Sequence, residues 1–402
     1  MINKAYKYRI YPNQTQRELL EKHFGCVRFC FNWGLDKKIK AYQQDKKRLS
    51  CFDLINELAK LKKEKEFKWL NEVNSQSLQM SLRNLDNAFT NFFRKQNKFP
   101  NFKSKKHNIN SFQIPQHLKL SDKLDIPKIK GIKIISHRKL EGKIKTATVS
   151  KTPTGKYYIS ILAEQNKELP KKPKIKESTA IGIDLGIKTF ATLSDGRKID
   201  NPKYLKNSLK KLKRQQRWLS RKIKDSNNRK KQIKKVGLIY EKISNQRSDF
   251  LHKFSYQITH ENQRLVSHNR QVNTIAIEDL NVKGMVKNHC LAQTITDVSW
   301  AEFRRQLEYK TEWYGKNLLV IGRFGASSKT CSCGQVNQEL KLSDREWICK
   351  ECGVKHDRDV LAANNIKKFA LIPVERRQLT PLERTTLVGS LKEEAIGSLA
   401  RE

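Results

Sequence analysis

The sequence predicts an α/β chain of several domains. A small antiparallel β-barrel interrupted by helices comes first, followed by a mixed sheet of buried strands and a cysteine ribbon. Three observations predict this. Apolar residues alternate with a period of two over 5–11 and again over 111–163, whereas 14–96 carry them at helical spacing. Two short apolar runs, 180–184 and 274–278, each end in a carboxylate. Four of the eight cysteines fall between Cys331 and Cys352.

In chain order, Tyr6, Tyr8 and Ile10 alternate with Lys7, Arg9 and Tyr11, the pattern of a half-exposed strand, which Pro12 ends. Thr15-Gln16-Arg17-Glu18 reads as a capping box opening a helix whose buried stripe is Leu20, Phe24, Val27, Phe31 and Leu35. A second helix carries Phe52, Ile55, Leu58 and Leu61. A third carries Leu78, Leu82, Leu85, Phe89, Phe92 and Phe93. Residues 14–106 are therefore a helical insert. On the third helix Gln76, Gln79, Arg83, Asn84 and Asn87 oppose the apolar stripe. Such side chains read base edges, and equally serve as ordinary solvated residues. The loop from Phe99 interleaves aromatics with Lys103, Lys105 and Lys106, which suits phosphate contact and base stacking. Strand-like runs at 111–114, 118–120, 129–135, 143–150 and 157–163, joined by 5–11, predict a barrel built from 1–13 and 107–165. Lys- and Pro-rich 166–177 reads as a linker.

The strand before Asp184 leads into a second strand past Gly186, and Asp195-Gly196 is a hairpin signal before 197–199. A buried aspartate at a strand end must be paired or bind a cation, so a salt bridge or helix cap answers the same need as a metal. Residues 203–261 predict a helical hairpin rich in Lys206, Lys210, Lys211, Lys213 and Arg214. A charge run is usually a solvated face, but the one-sided sign here favours phosphate binding. Residues 273–280 repeat the buried strand and its acid, Glu278. A helix with Phe303, Leu307 and Tyr314 and a strand at 318–321 follow. Asp359 shares helical spacing with Ala362, Ala363 and Ile366, and Asp357 reads as the helix cap.

Lys and Arg number 83 against 40 Asp and Glu, a net charge of +43 spread along the chain. That excess opposes compaction unless a polyanion neutralises it, so nucleic acid is the expected partner. No apolar run spans a bilayer and the N-terminus lacks an apolar signal core, which predicts a cytoplasmic protein without a membrane partner. Cys26 and Cys30 share a helix face and are expected in the core. Cys331-Ser332-Cys333 and Cys349-Lys350-Glu351-Cys352, 15 residues apart, resemble a four-cysteine ribbon holding one structural Zn²⁺, with a first knuckle one residue short. Asp184, Glu278 and Asp359 are the raw material of a site for two Mg²⁺ ions that hydrolyses phosphodiesters. No Ser/His/Asp or Cys/His arrangement accounts for all three acids.

The chain resembles the TnpB family, transposon-associated relatives of type V CRISPR nucleases. The resemblance is carried by Lys4-Ala5-Tyr6-Lys7-Tyr8-Arg9-Ile10-Tyr11-Pro12-Asn13, Gly182-Ile183-Asp184-Leu185-Gly186 and Ile277-Glu278-Asp279-Leu280. Ser343-Asp344-Arg345-Glu346-Trp347 and His356-Asp357-Arg358-Asp359 add to it. It implies a RuvC-like, RNase H-type nuclease core over 178–325 and 354–370 and a zinc ribbon over 326–353. It also implies a wedge-like barrel with a helical recognition insert, and a disordered tail over 371–402. Matched residue by residue, Asp184, Glu278 and Asp359 are the implied catalytic and Mg²⁺-binding triad. Cys331, Cys333, Cys349 and Cys352 are the implied Zn²⁺ ligands. The short first knuckle departs from the family, as does Leu361, where the family often has Asn. The implied activity is cleavage of double-stranded DNA beside a short flanking motif, guided by an RNA from the transposon end, with one protein monomer per RNA. A strand-transferring transposase, a catalytically silent DNA-binding repressor and a junction resolvase are the rival expectations.

Overall fold

In the computed structural model, which describes residues 2–105, 110–260, 272–322, 327–341 and 344–372, the chain forms two units, Met1–Glu168 and Leu169–Glu402. The expected tail lies outside the described residues past 372, as do Lys106 of the basic loop and Ser343.

The first unit opens with strand β1 (Ile2–Tyr11). Helices α1 (Gln14–Asp45), α2 (Cys51–Leu61) and α3 (Ser75–Phe93) follow, with a 3₁₀ segment at Lys65–Glu72. The chain then returns through β2 (Asn110–Ile114), β3 (Lys119–Leu120), β4 (Lys123–Ile126), β5 (Ile129–Ile135), β6 (Lys143–Lys151) and β7 (Tyr157–Gln165). These strands form one antiparallel sheet in the order β2-β6-β7-β1-β5-β4-β3. The strands expected to build a barrel form this one seven-stranded sheet, with two-residue β3 and five-residue β2 as its outer strands. β4 was not anticipated, because its Lys-Leu-Asp-Ile run is short and ends at Pro127.

The helices differ in detail from the sequence pattern. Asn13 and Gln16 close the capping box of α1, two residues earlier than Thr15 and Glu18. The α1 stripe is buried as expected, with Cys26 and Cys30 beside it. On α2, however, Leu54 and Leu58 are buried while Phe52 is 69% exposed, and on α3 the burial stops after Leu85 and leaves Phe93 65% exposed. Both phenylalanines lie near helix ends, where periodicity continues but the neighbouring element does not.

The second unit is organised around a five-stranded sheet. β8 (Ala180–Leu185), β9 (Thr189–Leu193) and β10 (Lys198–Asp200) form an antiparallel meander. Helices α4 (Tyr204–Ser220) and α5 (Asn227–Thr259) precede β11 (Thr274–Glu278). Then come α6 (Val282–Met285), α7 (His289–Val298), α8 (Trp300–Trp313) and β12 (Asn317–Ile321). β11 lies parallel to both β8 and β12, giving the order β10-β9-β8-β11-β12. A meander of three strands extended by two parallel ones is the RNase H-type arrangement implied by the resemblance. The hairpin β13 (Glu346–Ile348) and β14 (Lys355–Asp357) leads directly into α9 (Arg358–Leu371).

The two sheet faces are covered differently. Phe190 packs edge-on against Phe250, Phe254 and Phe303, which joins α5 and α8 to the sheet. Helix α9 crosses β8 at Gly182, where a Cβ would lie 2.0 Å from the Ala363 carbonyl oxygen. Only glycine permits that approach, and it sets the height of α9 over the strand that carries Asp184.

Candidate active site and cysteine cluster

Asp184 leaves the sheet near the end of β8, Glu278 is the last residue of the parallel neighbour β11, and Asp359 lies in the first turn of α9. Parallel pairing brings the first two acids to the same sheet edge, and the close crossing at Gly182 brings the third. The Asp184 carboxyl is pushed up to about 7, first by burial and then by the negative charges of Asp359 and Glu278. Burial, and then Asp279, raises Glu278. Mutual repulsion in a poorly solvated place is the state that a bound cation relieves. The neighbouring Asp279 pairs instead with Arg304 of α8.

A cavity of about 760 Å³ is lined by Asp184, Asp359, Lys203, Lys206, Asp297 and Arg345. Glu278 lines a second cavity of about 340 Å³ with Lys283, Arg304 and Arg305, and Leu185 and Trp300 border both. The Arg345 Nη1 lies 3.6 Å from Asp359 Oδ1, while its carbonyl accepts from the Arg358 N–H at 2.8 Å. Asp357 caps α9 by accepting from the Asp359 and Val360 N–H groups, as expected. Burial works against its charge, but Lys198 at 2.7 Å holds its carboxyl below the usual range.

The four cysteine sulfurs lie within 4.8 Å of one another, the one such ligand group among the described residues. Cys331 Sγ is 3.5 Å from Cys352 Sγ, and Cys333 Sγ is 3.7 Å from Cys349 Sγ. A tetrahedron with zinc–sulfur bonds of ~2.3 Å has edges of roughly 3.8 Å, so the short knuckle does not spoil the fit. Gly334 and Gly353 take positive φ, +98° and +68°, to close the two turns. The knuckles also pack: Leu361 joins Cys331, Cys349, Trp347 and Leu340 in one small core, so an apolar side chain replaces the family's amide there.

Sequence reasoning read Lys206 as part of a phosphate-binding run without placing it beside the acids, and it gave no role to three further residues found at these sites. Lys203 and Lys206 are brought to the acids by α4, Arg345 by the cysteine hairpin. His356 Nε2 lies 3.0 Å from Cys331 Sγ with its ring against Trp347. His356 follows Cys352 by four residues, a spacing that could have drawn attention to it. The proposed base-reading side chains Gln76, Gln79 and Arg83 recur at i, i+3 and i+7 along one face of α3. Gln76 bonds Gln116, and Gln79 and Arg83 lie on the same helix with Arg83 exposed. Lys103 is turned inward, its Nζ 3.7 Å from the Phe31 ring centroid, and its backbone is pinned by Asn32. Lys105 is exposed.

A family described as "Probable transposase" matches residues 160–289, one described as "Cas12f1-like, TNB domain" matches 300–366, and one described as "Helix-turn-helix domain" matches 1–47. A candidate RNA-guided DNA endonuclease of Streptomyces pristinaespiralis is 39% identical over 91% of this chain and 89% of its own length. InsQ of Escherichia coli K12, a candidate of the same description, is 33% identical over 90% of this chain and 91% of its own. The structure of the mini-RNA-guided endonuclease CRISPR-Cas phi3 covers 94% of each chain at 9% identity, with a TM-score of 0.48. The motifs and these full-length relatives define a transposon-associated class of proteins. The chain belongs to the TnpB family.

Proposed function

We propose that this protein is an RNA-guided DNA endonuclease of a transposable element that hydrolyses phosphodiester bonds at Asp184, Glu278 and Asp359. The observation that carries the reading is the convergence of three carboxylates from β8, β11 and α9, with Asp184 made basic first by burial and then by its acidic neighbours. Oxygen donors under mutual repulsion fit a hard cation, and these residues would hold two Mg²⁺ ions. When bound, the ions would neutralise the attacked phosphate and activate water for in-line displacement. Arg345, Lys203 and Lys206 bring positive charge to the same cavity and would orient the phosphate there. The four thiolates would hold one structural Zn²⁺, which fixes the hairpin that carries Arg345.

The net charge of +43 supports a large polyanionic partner, read here as a guide RNA together with double-stranded target DNA. No helix among the described residues is long and apolar enough to cross a membrane. The description "Probable transposase" favours strand transfer as a second reading, which leaves joined strands instead of free ends. Sequencing the RNA that co-purifies with the protein separates the two. A discrete species from the 3′ end of its own gene is expected for the guided nuclease. An RNA-free protein that joins specific DNA ends would overturn that reading.

A further inference from the structure

On α4, Lys206, Lys210, Lys213 and Arg217 recur at helical spacing and all four are exposed, forming one row about 17 Å long. Lys203, at the N-terminal end of this row, lines the acid cavity together with Lys206. The helix contains no Asp or Glu, and between Lys203 and Lys235 the only acid is Asp225. The opposite face of α4 is the packed one. Leu212 and Gln215 are buried there, and the Gln232 amide of α5 donates to the Gln215 carbonyl oxygen at 3.0 Å.

The start of the helix is held in place from outside. Lys203 adopts a left-handed backbone and supplies no side-chain cap. Instead, buried Asp297 of α7, itself a cavity residue, accepts from the Leu205 N–H at 3.0 Å and from Arg247 of α5 at 2.9 Å. This fastens the first turn of α4 at the cavity while the rest of the row extends away from it. At the far end, exposed Trp218 stands with the Arg214 guanidinium 5.6 Å from its ring.

We infer that the exposed row on α4 is a track for one DNA strand, whose phosphates lie along Lys206, Lys210, Lys213 and Arg217 and whose end enters the acid cavity at Lys203. The inference rests on the nuclease reading for its choice of DNA. The row is one line within a broader basic face, since Lys211 and Arg214 are exposed beside it. Its cavity end is where a strand must arrive to be cut. Trp218 supplies a face on which a base can stack, which requires an unpaired base.

The test uses the full chain with its co-purified RNA. The probe is a fluorescent single-stranded DNA oligonucleotide with no complementarity to that RNA, and its binding is followed across salt concentrations. Because each phosphate neutralised on a single strand contributes ~0.7 to the slope of log K against log salt, Lys206→Glu/Lys210→Glu/Lys213→Glu should flatten the slope by about 2. It should also weaken binding at least tenfold at 0.1 M salt. RNA recovery should be unchanged, as should the melting temperature, since all three side chains are exposed. The same charge change at Lys171, Lys172 and Lys174 is the control, expected to flatten the slope far less. An unchanged slope in the α4 variant, or one matched by the control, would overturn the track. So would loss of RNA recovery, which would make the row an RNA contact. The assay reads binding alone. A protein that never cuts yet shows the slope change would refute the nuclease and leave the track. A protein that cuts while the α4 variant binds and cuts like its parent would do the reverse.

Discussion

At Asp184 burial and charge act in the same direction, because it is enclosed beside two other acids. A carboxyl whose native pKa exceeds its unfolded value binds more protons when folded, so it costs stability as pH rises from about 4 towards about 7. Asp184→Asn removes this cost. In metal-free protein its melting temperature should exceed the parent's by roughly 5 °C at pH 8 and match it at pH 4. Equal differences at both pH values would show that the acids do not repel. Arg345 tests the positive side of the cavity. Arg345→Ala should slow DNA cleavage roughly 100-fold while leaving RNA recovery intact, and a rate within twofold of the parent would remove it from the site. The three acids were legible in the sequence because each ends or begins an element with a plain pattern. Arg345 was not, because its proximity to Asp359 depends on how the cysteine hairpin folds back.

Among the elements, the crossing of α9 over β8 determines where Asp359 stands. Gly182→Val inserts side-chain atoms where the Ala363 carbonyl oxygen already sits 2.0 Å from a Cβ position. Overpacking of this kind costs about 1–3 kcal/mol, so the melting temperature should fall by roughly 4–10 °C, and a smaller change would mean that α9 moves freely. Strands β1, β7, β8 and β11 were readable from alternation or continuous apolar runs, since their burial repeats along the strand. Helix ends were less so. Phe52 and Phe93 kept helical phase with their stripes but stay largely exposed, Phe93 with only Phe89, Phe92 and Arg48 against its ring among the described residues. The inward turn of Lys103 was also hidden, because a basic loop residue carries no local sign that an aromatic ring and Asn32 await it.

For the whole molecule, the sequence pattern anticipated most of the longer elements but not β4, α6, α7 or the β13–β14 hairpin, nor the strand order of the two larger sheets. Pairing of β1 with both β5 and β7 joins residues more than 120 positions apart, and no local pattern encodes such partners. The cysteine knuckles were legible because both pairs fall in one short stretch. Elemental analysis of the purified protein should find one zinc per chain, and Cys352→Ser should abolish it. Full zinc content in that variant would contradict the four-thiolate site.

The central claim is that an RNA directs the three acids to a DNA target. A plasmid matched to the co-purified RNA and carrying randomised flanks, incubated with Mg²⁺, tests it most directly. The protein should cut only plasmids whose flank bears one short motif, leaving free ends, and Asp184→Ala should cut none. Equal cutting by Asp184→Ala, cutting of plasmids unmatched to the RNA, or joined strands in place of free ends would contradict it.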